Sequence, residues 1–251
     1  MAAFDSGTQP VRRVLCFAAH PDDLDFGASG TVAAWTAAGV DVQYCIMTDG
    51  DAGGFDPAHR EQIVATRHDE QRQAARIVGV DTVHFLGERD GYLEPTHDVQ
   101  RKVVALIRQV RPDVVLAMHP ERDWERLQRS HPDHLACGEA VTRAVYPAVE
   151  NPYAYPELQA EGLAAYKLGW LWLYGGPASR DNHWVDVTDT FARKLEALRQ
   201  HLTQHPDVAR MEAFVEANSR RKAAAGSLPE GRLAEAFHAV AVNAADTIAG
   251  F

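Results

Sequence analysis

The chain has 251 residues, of which 46% are hydrophobic and 24% charged, and its formal net charge is -10. That length can bury a sizeable core, and the composition is globular rather than disordered. The acidic balance argues against nucleic acid or an anionic membrane surface as partner, and no apolar run approaches the ~20 residues of a membrane-spanning helix.

Residues 1–10 carry neither an apolar h-region nor a basic n-region, so no signal peptide is expected. Cys16, Cys45 and Cys137 are odd in number and lie in apolar or helical segments. They read as buried thiols of a reducing compartment, not as a disulfide framework, which makes the cytoplasm the expected location.

In chain order, residues 11–18 read as a buried strand and 27–39 as a helix. A second strand is expected at 42–47 and a long amphipathic helix at 59–78. A strand at 81–86, a helix at 98–110 and a strand at 114–118 follow, then a helix over 133–145 with Asp133 as its N-cap. Residues 146–165 are rich in Pro and Tyr and read as a long ordered loop. Later strands are expected at 170–174 and 184–187, and the tail from Phe191 reads as helical, with breaks near Pro206 and Gly226. This alternation predicts an α/β fold, a Rossmann-like and mostly parallel sheet flanked by helices. No repeat or linker interrupts it, so residues 1–251 are expected to form a single domain.

The unusual polar chemistry gathers in the loops after the first four strands. These hold His20-Pro21-Asp22-Asp23, residues 48–54 (Thr-Asp-Gly-Asp-Ala-Gly-Gly), residues 87–91 (Gly-Glu-Arg-Asp-Gly), and the segment from His119 to His131-Pro132-Asp133-His134. Ligands of open α/β sheets bind beyond the carboxyl ends of the strands, so these distant segments are expected to meet there. Imidazole nitrogen and carboxylate oxygen are the ligands of catalytic zinc, which keeps one position open. Such a metal polarises a carbonyl and lowers the pKa of water towards ~7, while a neighbouring carboxylate not used as a ligand can act as general base. Asp22 and Asp23 suit that division of labour. Of His131 and His134, one can bind metal while the other, protonated, stabilises an oxyanion or protonates a leaving amine. Spacing alone leaves open which aspartate and which histidine binds.

Several neighbours read more plainly. Either aspartate of the first cluster could simply cap a helix. Gly27 to Gly30 lacks the spacing of a dinucleotide loop and is expected to serve close helix–strand packing, and residues 49–54 lack the terminal Glu of a calcium loop. Arg67, Asp69 and Glu70 lie on a charged helix and read as a solvated face. His84, His97, His183, His201, His205 and His238 have no ligand spacing among themselves and read as structural or surface residues. His119 ends the fourth strand close to the expected site. Trp170, Trp172 and Trp184 read as core.

The stretch from Ala19 to Gly27, Ala-His-Pro-Asp-Asp-Leu-Asp-Phe-Gly, resembles the signature of the PIG-L/LmbE superfamily of zinc-dependent N-deacetylases. His131-Pro132-Asp133-His134 resembles its second signature. Arg67, the Gly79-Val80 turn and Asp90-Gly91 stand where the family carries similar features. His201-Leu202-Thr203-Gln204 is similar to its His-x-Ser-Gln pattern, with Thr for Ser, and Ala234-Glu235-Ala236-Phe237 to its closing motif. The resemblance implies His20, Asp23 and His134 as ligands of one divalent ion, zinc or, with a similar ligand set, iron(II). It implies Asp22 as general base, His131 stabilising or protonating the tetrahedral intermediate with Asp133 orienting it, and Arg67 and Asp90 as substrate contacts. Asp25, where many members have Glu, bears on support of the loop. Asp133 is also expected to favour a charged His131 imidazole and to hold its pKa above the ordinary ~6.5.

The expected function is removal of an acetyl or other acyl group from the amine of an N-acetylglucosamine-type small molecule. The alternatives are an amidase of thiol conjugates or an ester hydrolase on the same metal site, and a non-catalytic metabolite-binding relative. A spare carboxylate beside the metal argues against the last. The reading leaves a homo-oligomer open.

Overall fold

The computed structural model describes residues 11–54 and 60–243. The reading of residues 1–10 and the expected helix start at residue 59 lie outside them. The first strand, β1 (Arg13–Ala18), is buried at five of its six residues, and β4 (Val114–Met118) at all five. Continuous apolar runs of this kind belong in the middle of a parallel sheet, where helices cover both faces. Cys16 of β1 accordingly lies between Tyr44 of β2 (Asp41–Thr48) and Leu116 of β4. The edge strand β3 (Thr82–Glu88) is only partly buried. Five parallel strands run β3-β2-β1-β4-β5, with β5 at Trp170–Tyr174. Two further strands, β7 (Ala234–Ala241) and β6 (His183–Asp186), extend this sheet antiparallel to their neighbours.

The intervening helices are α1 (Asp23–Gly27), α2 (Ser29–Ala37), α3 (Ile63–Ile77), α4 (His97–Val110), α5 (Pro132–Arg143), α6 (Pro156–Ala160), α7 (Phe191–Leu198) and α8 (Val208–Ala225). The helices α2, α3 and α7 pack together, as do α4 and α5. Right-handed crossovers from β1 outwards in opposite directions put the two groups on opposite faces. Strand order therefore reverses between β1 and β4, and a crevice opens at that switch point beyond their carboxyl ends. No helix among the described residues is long and apolar enough to cross a membrane. Cys16, Cys45 and Cys137 are free and buried.

The parallel α/β architecture matches the expectation, and four details differ. The expected helix at 27–39 is two helices that break at Ala28. Gly27 there lies so near Tyr174 that a Cβ would sit 2.3 Å from the ring, so the glycine serves close packing. The tail is not wholly helical, because Ala234–Ala241 is a strand. Its alanines suit a helix, but the exposed edge of β5 offers a ladder, and Phe237 packs on Trp172 at 5.3 Å between centroids. Residues 146–165 include α6 and close a helical turn at Ala144–Ala148. Finally, the N-cap of α5 is His131, whose side chain accepts from the Asp133 amide, while Asp133 lies in the first turn.

The segment after α5 is fastened by Arg108, which is 2% exposed. Its Nη2 donates to Ala148 O and Asn151 O, each at 2.9 Å, and its Nε donates to Val149 O at 3.3 Å. Arg108→Met keeps the aliphatic volume and strands these carbonyls. A cost of roughly 2–4 kcal/mol in urea unfolding is expected from their lost partners. A cost under about 0.5 kcal/mol, the scale of an indifferent surface change, would contradict this role.

Candidate metal centre and active site

The loop after β1 turns through a strained residue. Asp22 has φ 100°, a region few non-glycine residues occupy, and such strain collects where surrounding structure enforces it for function. The enforcing groups come from α3. Gln71 Oε1 accepts the Asp22 amide at 2.8 Å, and Arg67 Nη2 donates to Pro21 O at 2.8 Å. Arg67 Nη1 also donates to Gly50 O at 2.9 Å. A Cβ on Gly50 or Gly53 would lie 2.6 or 2.3 Å from this Nη1, so only glycine leaves the guanidinium room. Arg67 is thus 3% exposed rather than solvated. Glu70 is buried as well, and accepts from the amide of Thr203 at 3.0 Å and from its hydroxyl at 2.7 Å. The Thr203 hydroxyl thus has a partner of its own in the buried Glu70 carboxylate.

The two signatures meet across the switch point. His20 Nδ1 lies 3.3 Å from Asp23 Oδ2, and His134 Nε2 lies 3.1 Å from Asp23 Oδ1. Two ligand atoms each about 2.0–2.1 Å from one tetrahedral zinc stand about 3.3 Å apart, a spacing each of these contacts matches pairwise, His20 against one Asp23 oxygen and His134 against the other. His131 closes the group, its ring 4.9 Å from that of His20 and 5.3 Å from that of His134. A second arrangement, nitrogens of His20, His131 and His134 within 4.8 Å of one another, also has metal-ligand chemistry. His131 is the weaker candidate of the three, because its Nδ1 already accepts the Asp133 amide at 3.2 Å.

The other nitrogen of His20 explains a third cluster. Nε2 lies 3.1 Å from both Asp90 Oδ1 and Asp133 Oδ2. Imidazoles that bind metal through one nitrogen commonly donate the other N–H to a carboxylate, which fixes tautomer and ring. Asp133 is held for this by the amides of Gly91 at 2.7 Å and Leu93 at 3.3 Å. Its carboxylate therefore orients His20, and only its backbone amide orients His131, which corrects the expected role. Burial alone would lower the pKa of His20, but the carboxylates of Asp133, Asp23 and Asp90 outweigh it and push it up to about 12. Three carboxylates gathered around one imidazole make a cluster that added positive charge stabilises, as a divalent ion would supply. The donors present, imidazole nitrogens and carboxylate oxygens, fit a divalent metal of the kind the resemblance implies.

His131 shifts the other way from the expectation. Burial and the neighbouring charges of His20 and His134 outweigh Asp133 and Asp90, and lower its pKa. A dication alongside can only lower it further. With Nδ1 accepting an amide, the neutral ring carries its proton on Nε2.

Arg67 and Asp90 join the same cluster, 3.4 Å apart. His119 does not: its Nε2 lies 3.2 Å from His238 Nδ1, its Nδ1 accepts the Glu121 amide, and burial together with the charge on His238 pushes its pKa down to about 4. Of the supports behind the first loop, sequence reasoning pointed to Asp25 and to the segment at His201, and missed Gln71 and His205. Asp25 is fully buried, and its Oδ2 meets Gln71 Nε2 at 2.9 Å and His201 Nε2 at 2.8 Å. Burial opposes a charge on His201, yet the Asp25 carboxylate raises its pKa. His205 Nε2 reaches Asp22 Oδ2 at 3.2 Å. The one available signal was the invasion of an apolar helix face by Gln71 and Glu70.

The chain is 33% identical over 202 residues to the diacetylchitobiose deacetylase of Thermococcus kodakarensis, covering 78% of this chain and 72% of that protein. It is 31% identical over 199 residues to a probable N-acetyl-alpha-D-glucosaminyl L-malate deacetylase 2 of Bacillus anthracis, covering 77% and 81%. The solved N,N'-diacetylchitobiose deacetylase of Pyrococcus horikoshii, complexed with its inhibitor MPG, superposes with a TM-score of 0.86 at 29% identity, covering 96% of this chain and 87% of that one. The PIG-L profile, described as GlcNAc-PI de-N-acetylase, matches residues 15–145, which span both signatures and the crevice between them. The chain belongs to the PIG-L family.

Proposed function

We propose that this protein is a metal-dependent N-deacetylase, acting as one catalytic domain on the acetamido group of an N-acetylglucosamine-type sugar. The observation that carries the reading is that Asp23 joins the imidazoles of His20 and His134, while Asp22, its neighbour in the chain, has its carboxylate held by His205 instead. His20, Asp23 and His134 are the proposed ligands, and zinc the proposed metal. When bound there, the ion polarises the acetamido carbonyl and acidifies water near it. Asp22 takes the proton of that water as it attacks, and hands it to the sugar nitrogen as the C–N bond breaks, leaving acetate and a free amine. His131 donates Nε2–H to the carbonyl oxygen as negative charge develops on it. Arg67 and Asp90 are the proposed substrate contacts, Asp90 beside His20 and Arg67 beside Asp90.

His131→Ala is expected to lower turnover by roughly 10²–10³, the scale of one oxyanion donor, and to leave metal content intact. Because the neutral ring donates throughout, the alkaline limb of the pH–rate profile should survive in the variant. Disappearance of that limb would assign it to a His131 imidazolium and overturn the neutral-donor role.

The substrate reading is tested by a panel of N-acetylated glucosides, diacetylchitobiose, thiol-conjugate amides and acetate esters. The largest kcat/KM is expected for the N-acetylated sugars. Faster cleavage of the thiol-conjugate amides or esters would replace the substrate class while keeping the site.

A further inference from the structure

We infer that His205 is a positioning residue for Asp22, donating Nε2–H to Oδ2 so that the other carboxylate oxygen faces the reacting water. This rests on the deacetylase reading above. The contact is 3.2 Å, and Arg67 Nη2 approaches the same Oδ2 at 4.0 Å. The imidazole donor and the nearby guanidinium charge thus both address one oxygen of the carboxylate. A carboxylate free to rotate would share its productive orientation with others, and a base must hold its lone pair within reach of the proton it takes.

The segment that carries His205 is built to hold it there. His201, four residues earlier, is locked onto Asp25 at 2.8 Å, and Thr203 is locked onto Glu70 by amide and hydroxyl. The His205 amide closes a turn on His201 O at 3.0 Å. Phe26 meets the imidazole edge-on, with centroids 4.8 Å apart and planes at 73°. The ring is therefore fixed between an aromatic edge and the carboxylate, although 29% of its side chain is exposed. A histidine serving only solvation would need neither the anchored turn nor the aromatic wall.

The test uses the metal-loaded full chain and five variants. His205→Ala and His205→Leu, the latter keeping contact with Phe26, should lose roughly 10–100-fold in kcat, the usual cost of a supporting hydrogen bond to a reacting group. KM and metal content should change by less than about threefold, within the scatter of a neutral surface change. His205→Gln, whose amide nitrogen reaches the place of Nε2, should recover most of the loss. His205→Ala combined with Asp22→Asn should be no slower than Asp22→Asn alone, because both act through one carboxylate. Full kcat in both apolar variants, failure of Gln to rescue, a loss confined to KM, or additive losses in the double variant would each overturn the inference. Inactivity of the unaltered protein on every N-acetylated sugar would instead overturn the functional reading, and the inference with it.

Discussion

Asp22→Asn is expected to keep the fold and the metal while losing roughly 10²–10⁴ in turnover, the usual contribution of a general base. The amide is nearly isosteric and still accepts from His205 through its oxygen, but it cannot take a proton from water. Backbone strain makes this substitution unusually clean. Asp22 holds φ 100°, and asparagine tolerates left-handed geometry at least as well as aspartate. Thermal stability should therefore stay within about 0.5 kcal/mol of the unaltered protein, the range of mutations that disturb no packing. A variant with near-normal turnover would make Asp22 a loop residue and place the base elsewhere. A variant that lost metal would make Asp22 a ligand.

Replacing His20, Asp23 or His134 by Ala should abolish stoichiometric metal binding and, with it, turnover. The reason is geometric: Asp23 faces His20 with one oxygen and His134 with the other, so each deletion removes one of the spaced donors. His20→Ala carries a second penalty, since it leaves the Asp90 and Asp133 carboxylates facing each other across the vacated ring. It should therefore destabilise the protein more than His134→Ala does, because His134 is the more exposed of the two. Metal content and urea midpoints measured together separate the two effects. Full metal occupancy in all three variants would rule out the assignment, and retention in His134→Ala with loss in His131→Ala would exchange the two histidines.

The strands around the crevice were legible in the sequence because central parallel strands are apolar on both faces, as residues 14–18 and 114–118 are. The gathering of polar loops at one end of the sheet followed from the same alternation. Strand order was not legible, and it is the reversal at β1 and β4 that makes the two histidine clusters meet. Ala234–Ala241 read as helix because its small residues fit either element, and only the open edge of β5 decides between them. Arg67 and Glu70 read as solvated because charge on a helix usually is; what buries them is the loop at Gly50 and Gly53 and the segment at Thr203, far away in sequence. His205 was passed over for the same reason. A histidine that supports a carboxylate rather than a metal has no spacing rule to betray it. Asp133 was assigned to the wrong histidine because the helix start turns its carboxylate back towards β1 rather than towards its sequence neighbour.

The central claim is that this crevice hydrolyses an acetamide with a divalent ion held by His20, Asp23 and His134. The most direct measurement is acetate and free amine released from diacetylchitobiose by the protein stripped of metal and then titrated with zinc. Turnover should be lost on stripping, should return in proportion to zinc until one ion is bound per chain, and should yield acetate and amine in equal amounts. Full turnover in the stripped protein, or amine formed without acetate, would contradict the account.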